Sequence, residues 1–89
     1  MLARVETDTG ELEVAAKTLQ PGQIVLVAPG SQIPADAEIL SGSTSVDESM
    51  LTGEHLPVTR HRGDTVFAGT TNVESPLRLR VLRSLESII

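Results

Sequence analysis

Gly, Pro, Ser, Thr and Asp interrupt this chain roughly every 8 to 12 residues, and that punctuation confines it to short strands joined by tight turns. Ala3 to Glu6 and Glu11 to Ala15 read as a hairpin around Thr7-Asp8-Thr9-Gly10. Glu11-Leu12-Glu13-Val14 alternates polar and apolar, the pattern of a half-buried strand. Gln20-Pro21-Gly22 and Pro29-Gly30 are turns, with Pro fixing φ and Gly supplying positive φ. Between them Gln23 to Ala28 is nearly continuously apolar, which predicts a well-buried strand.

Further along, Ala37 to Leu40 is a short strand that ends at Ser41-Gly42-Ser43. Asp47 is placed to cap a single helical turn through Glu48, Ser49 and Met50. Thr52-Gly53-Glu54-His55 reads as an exposed loop, and Leu56-Pro57-Val58 as extended chain, since the residue before Pro leaves the helical region. Arg62-Gly63-Asp64 turns into a strand from Thr65 to Ala68, which Gly69 ends. Leu77-Arg78-Leu79-Arg80-Val81 is the cleanest strand, with apolar residues inward and Arg outward. Ser84 to Ile89 reads as the start of a helix that the chain end cuts short. About eight short strands predict a sandwich, barrel or jelly roll, and the pattern alone does not choose among them.

The 89 residues suffice for one domain, 1–89, with a modest core. Phe67 is the one aromatic residue, so that core is aliphatic. A net charge of −5, with 12 acidic against 7 basic residues, argues against a nucleic-acid partner. Having no Cys, the chain has no disulfide, thiolate metal site or thiol chemistry. Its longest apolar run, Ile24 to Ala28, falls far short of the ~20 residues a membrane span needs. Read alone, it is a soluble domain and a monomer.

The stretch Gly42-Ser43-Thr44-Ser45-Val46-Asp47-Glu48-Ser49-Met50-Leu51-Thr52-Gly53-Glu54-His55-Leu56-Pro57-Val58 resembles the actuator-domain signature of P-type cation-transporting ATPases. Upstream, Leu19 to Val27 and Pro29 to Asp36 fit the same family, and downstream Gly63 to Asn72 does too. These blocks run in register over about three quarters of the chain. The texture is most similar to the heavy-metal branch, copper exporters in particular. This sequence departs from the family pattern at Gln23 (usually Asp), Ala37 (Gly), Arg60 (often Lys), Ser75 (often Gly) and His55 (often Ser).

The resemblance implies an all-β-dominated, distorted jelly-roll or sandwich-like domain with one or two short helical turns. It implies a location on the cytoplasmic face of a membrane, as part of a transporter. The expected partners are the phosphorylation domain and transmembrane helices of the same protein. Glu54 is the expected catalytic residue, on a loop braced by Thr52 and freed by Gly53, and His55 is a possible accessory. Glu54 would position water against an aspartyl phosphate on the phosphorylation domain. No cofactor or metal is expected in this domain itself; Mg2+ and ATP are implied on other domains. The isolated domain is expected to be inactive.

Other readings compete. Asp47-Glu48 as a metal or acid–base pair is weighed against a helix cap beside a solvated charge, and the second is preferred. His55 and His61 do not share a ligand spacing, so both are read as surface residues. Arg78 and Arg80 share a strand face, either solvated or docked on an acidic partner. A lipoyl- or biotinyl-type carrier would need its Lys at a hairpin tip, and Lys17 has no such motif around it. A freestanding module that regulates a partner ATPase is the alternative function.

Overall fold

The computed structural model describes residues 1–83; the helix expected over 84–89 lies outside them. Two antiparallel sheets enclose the core. The larger runs in the order β2-β1-β3-β9-β4-β7, and the smaller in the order β6-β5-β8. The strands are β1 (Leu2–Thr7), β2 (Gly10–Ala15), β3 (Ile24–Val27), β4 (Asp36–Ser41), β5 (Ser43–Asp47), β6 (Val58–His61), β7 (Thr65–Val66), β8 (Thr71–Asn72) and β9 (Leu77–Arg83). A 3-10 turn covers Ala16–Thr18 and a single-turn helix, α1, covers Ser49–Thr52. The all-β expectation holds, in two antiparallel sheets with one short helix and one 3-10 turn.

Period-two alternation builds the core. Val25 and Val27 of β3, Ala37 and Ile39 of β4, and Leu77, Leu79 and Val81 of β9 all face inward and are buried. Val46 of β5 closes the core from the other sheet, and Leu19 and Ile33 fill it from loops. On the outer face of the large sheet, Arg78 pairs with Glu6 at 2.8 Å and Arg80 pairs with Glu38. The two Arg residues thus stay solvated while each pairs with a carboxylate of the domain itself.

The chain passes between sheets at Gly42, where φ is +108° and a Cβ would lie 2.9 Å from the Pro76 carbonyl oxygen. Only Gly accommodates both demands. Beyond this corner, Thr44 of β5 and Asn72 of β8 form a buried polar centre. The Thr44 hydroxyl donates to Asn72 Oδ1 at 2.7 Å, and Asn72 Nδ2 donates to the carbonyls of Val27 and Ser75 at 3.1 and 2.7 Å. The backbone N–H groups of Glu74 and Ser75 donate back to Thr44 Oγ1.

Several expectations change. β5 and β6 are strands that composition did not announce, because Ser43-Thr44-Ser45 looks like turn sequence until it pairs with Thr59, Arg60 and His61. Leu12 is 57 % exposed, since β2 is the edge strand and overhangs the core; its alternation does not bury it. In the apolar run after Gln23, only Val25 and Val27 are buried, while Ile24 and Leu26 sit half-covered on the outer face. Gln23 keeps the role of a turn acceptor, its Oε1 receiving the Gln20 N–H at 2.7 Å.

Candidate functional site

Strands β5 and β6 pair from Ser43↔His61 to Val46↔Val58 and hold between them the segment that carries α1 and Thr52-Gly53-Glu54-His55. Asp47, the last residue of β5, stands one residue before the N-cap position, which falls to Glu48, but its side chain still meets the first turn. Its Oδ1 accepts the Ser49 N–H at 2.9 Å. The helix starts one residue later than expected and runs to Thr52, so Thr52 is both its last residue and the start of the exposed loop.

Gly53 ends the helix in the left-handed conformation, φ +76°, and its N–H donates to the Ser49 carbonyl at 2.7 Å. This is the αL cap that favours Gly. Nothing lies within 4 Å of a Cβ built at Gly53, so any cost of a side chain there is conformational. Gly53→Ala should cost about 1–2 kcal/mol from left-handed strain alone. Urea melts of the two proteins measure this, and equal midpoints would contradict the cap geometry.

Immediately after the cap, the Glu54 N–H donates to Thr52 Oγ1 at 3.2 Å, and the Thr52 hydroxyl donates to the Glu48 carbonyl at 3.4 Å. Thr52 thus braces the backbone that Glu54 departs from, as expected. Every residue from Met50 to Thr59 is exposed. Leu56 at the exit is 80 % exposed, and Met50 and Leu51 are also open. The loop is a projection, with a carboxylate at its tip and an apolar rim.

Hydrogen bonds from Ser49 are the main reason the Asp47 carboxyl is held below its ordinary range, with a smaller contribution from His55. Glu6 is likewise held low, chiefly by its hydrogen bonds from Arg78. A depressed carboxyl adds stability above its unfolded value of about 4, and the contribution is lost as pH falls through the folded value. Asp47→Asn and Glu6→Gln should each flatten the acid limb of a stability–pH profile, with no change near neutrality in its slope. Denaturant melts across the acid range check this; an unaltered acid limb would contradict it. His61 lies apart from His55, with Nδ1 3.6 Å from Asp64 Oδ2. Among the described residues, no three His, Cys, Asp or Glu side chains gather as a metal site.

One expectation fails here. Glu48 is not a solvated charge: it is only 7 % exposed, and Arg60 of β6 forks onto both its carboxylate oxygens at 3.1–3.2 Å. Sequence spacing gives no hint of this pair, because twelve residues and a loop separate its members. Lys17 lies in the 3-10 turn, not at a hairpin tip, which removes the geometry a carrier domain needs.

Residues 2–88 match the family model described as the P-type ATPase actuator domain. The chain is 51 % identical over 80 residues to the probable cation-transporting P-type ATPase J of Mycobacterium tuberculosis, covering 90 % of this chain and 12 % of that protein. It is 49 % identical over 79 residues to a probable cobalt/nickel-exporting P-type ATPase of Mycobacterium bovis, covering 89 % of this chain and 12 % of the other. In three dimensions it is similar to a zinc-transporting PIB-type ATPase crystallised in the E2.Pi state. There the TM-score is 0.88 and the identity 43 %, over 94 % of this chain and 14 % of that one. The chain therefore spans about an eighth of the length of the relatives it matches.

Proposed function

This chain belongs to the P-type ATPase actuator domain family, and from that premise we propose that Thr52-Gly53-Glu54 acts on an aspartyl phosphate carried by another domain of a heavy-metal-transporting ATPase. The observation that carries the proposal is the placement of Glu54. Its side chain is exposed, on a loop whose backbone is held on the side that enters Glu54, by the Gly53 cap and by the Thr52 hydroxyl.

Glu54 accepts a proton from a water molecule aimed at phosphorus. The new P–O bond forms as the bond to the aspartyl oxygen breaks, and the Asp carboxylate leaves with the electron pair. Phosphoryl transfer is dominated by positioning and charge, so one well-placed carboxylate is a sufficient contribution from this side. Gly53, with no Cβ, lets the backbone approach the phosphorylated site. The partner domain would hold Mg2+, whose charge would offset the repulsion between carboxylate and phosphate, and ATP would bind on other domains of the transporter. His55 lies next to the reacting carboxylate and is the accessory residue of this reading.

The parent protein would sit in a membrane, with this domain at its cytoplasmic face. No helix among the described residues is long and apolar enough to cross one. Of the relatives above, two are named for cobalt/nickel and for zinc and none for copper, so a divalent cargo replaces copper as the reading of the transported ion. In a full-length transporter carrying this domain, Zn2+, Co2+ or Ni2+ should stimulate ATP hydrolysis and Cu+ should not. Stimulation by Cu+ alone would overturn the assignment. The 89-residue chain by itself should hydrolyse no ATP, and measurable turnover would contradict its role as half of a site.

A further inference from the structure

Glu48 and Arg60 form a part-buried ion pair that the proposed reaction does not use. Arg60 Nε and Nη2 approach Glu48 Oε2 at 3.2 and 3.1 Å, and Nη2 also approaches Oε1 at 3.1 Å. The side chains are 9 % and 29 % exposed, Glu48 being the deeper. Their place in the chain matters more than their contact. Glu48 precedes α1 and Arg60 sits in β6 beyond the loop, so the pair closes the base of the segment that carries Glu54.

The same residue anchors the backbone above it. The Glu48 carbonyl accepts the Leu51 and Thr52 N–H groups at 2.9 and 3.1 Å, and the Thr52 hydroxyl at 3.4 Å. Thr52 Oγ1 in turn accepts the Glu54 N–H at 3.2 Å. A continuous path therefore leads from the Arg60 guanidinium through Glu48 and Thr52 to the backbone of Glu54. A fork on a carboxylate fixes both direction and distance. An ion pair partly withdrawn from water contributes little net stability, so geometry is the property it supplies best.

We propose that Glu48 and Arg60 are positioning residues: their clamp at the base of the loop sets where the Glu54 carboxylate stands when it meets the phosphate. The inference rests on the role proposed above for Glu54. Misplacement of a reacting group by about 1 Å can lower a rate on the order of 100-fold. Loss of the clamp should therefore slow hydrolysis of the phosphoenzyme without slowing its formation.

The test uses the full-length transporter, phosphorylated from labelled ATP and then chased. Arg60→Ala and Glu48→Ala should form phosphoenzyme at the wild-type rate and lose it at least ~10-fold more slowly. Arg60→Lys, which keeps the charge but not the fork, should fall between them and wild type. The paired variant Glu48→Met with Arg60→Leu restores apolar packing without the clamp. It should resist proteolysis like wild type and still decay slowly. Wild-type decay in that folded pair would overturn the inference, since a purely structural role predicts recovery of rate together with stability. Glu54→Gln, run alongside, separates the two claims. If it stalls while the paired variant decays normally, only the clamp is wrong; if it decays normally, the role of Glu54 falls and the clamp with it.

Discussion

Replacing Glu54 by Gln should reduce steady-state ATP turnover of the full-length transporter by about 10²–10⁴-fold, while the phosphorylated form accumulates. The range is that of a positioned general base, and corresponds to roughly 3–5 kcal/mol of barrier. The amide keeps the size of the side chain and loses its capacity to take a proton. Stability should be nearly untouched. Glu54 is exposed, its side chain makes no hydrogen bond among the described residues, and such surface changes stay within about 0.5 kcal/mol. Glu54→Asp keeps the base but withdraws it by one methylene, and should fall between the two. Normal turnover in Glu54→Gln would contradict the assigned chemistry; a lowered melting temperature would point to a structural cause.

The second large effect concerns folding. Asn72→Ala should destabilise the domain by about 3 kcal/mol or more, because it strips partners from groups that cannot reach water. Asn72 is fully buried, and its removal takes away the side-chain donor to the carbonyls of Val27 and Ser75 and the short acceptor of the Thr44 hydroxyl, which keeps the Glu74 and Ser75 N–H groups. Each unsatisfied buried group costs about 1–3 kcal/mol. For a domain of this size, 1 kcal/mol moves the melting temperature by about 4–8 °C, so a fall of more than ~10 °C is expected. Asn72→Asp should be no better, since a carboxylate would face two carbonyl oxygens. Thermal melts of the isolated domain decide it, and a shift under ~3 °C would show that the polar centre relaxes or takes in water.

Much of this was legible in the sequence, for physical reasons that differ by element. β9 announces itself because Leu77, Leu79 and Val81 face the core while Arg78 and Arg80 face out. The β1–β2 hairpin follows from its turn residues, and its register, Thr7↔Gly10, leaves the two-residue loop that those residues suggest. The contact of Asp47 with the first helical turn and the exposed Thr52-Gly53-Glu54 loop were also legible, the loop through family resemblance more than through its own composition. Strands β5 and β6 were not, since their Ser, Thr and Arg residues carry no strand pattern and the ladder between them is a tertiary event. The Glu48–Arg60 clamp and the Thr44–Asn72 centre were invisible for the same reason. Polar residues in sequence read as surface, and only packing reveals which of them are enclosed.

The central claim is that the Thr52-Gly53-Glu54 loop is half of a site, completed by a phosphorylated domain elsewhere in the transporter. The absence of Cys from this chain permits a direct test, because Glu54→Cys places a single thiol of the domain at the tip of the loop. Its labelling by a thiol reagent would be followed in the full-length transporter, against the same transporter without the substitution. Without ligand the thiol should react at the rate of an exposed cysteine. With a phosphate mimic bound at the phosphorylation site, it should be shielded and labelling should slow markedly. Equal labelling in the two states would contradict the account, for it would mean that the loop never meets the phosphate it is held out to reach.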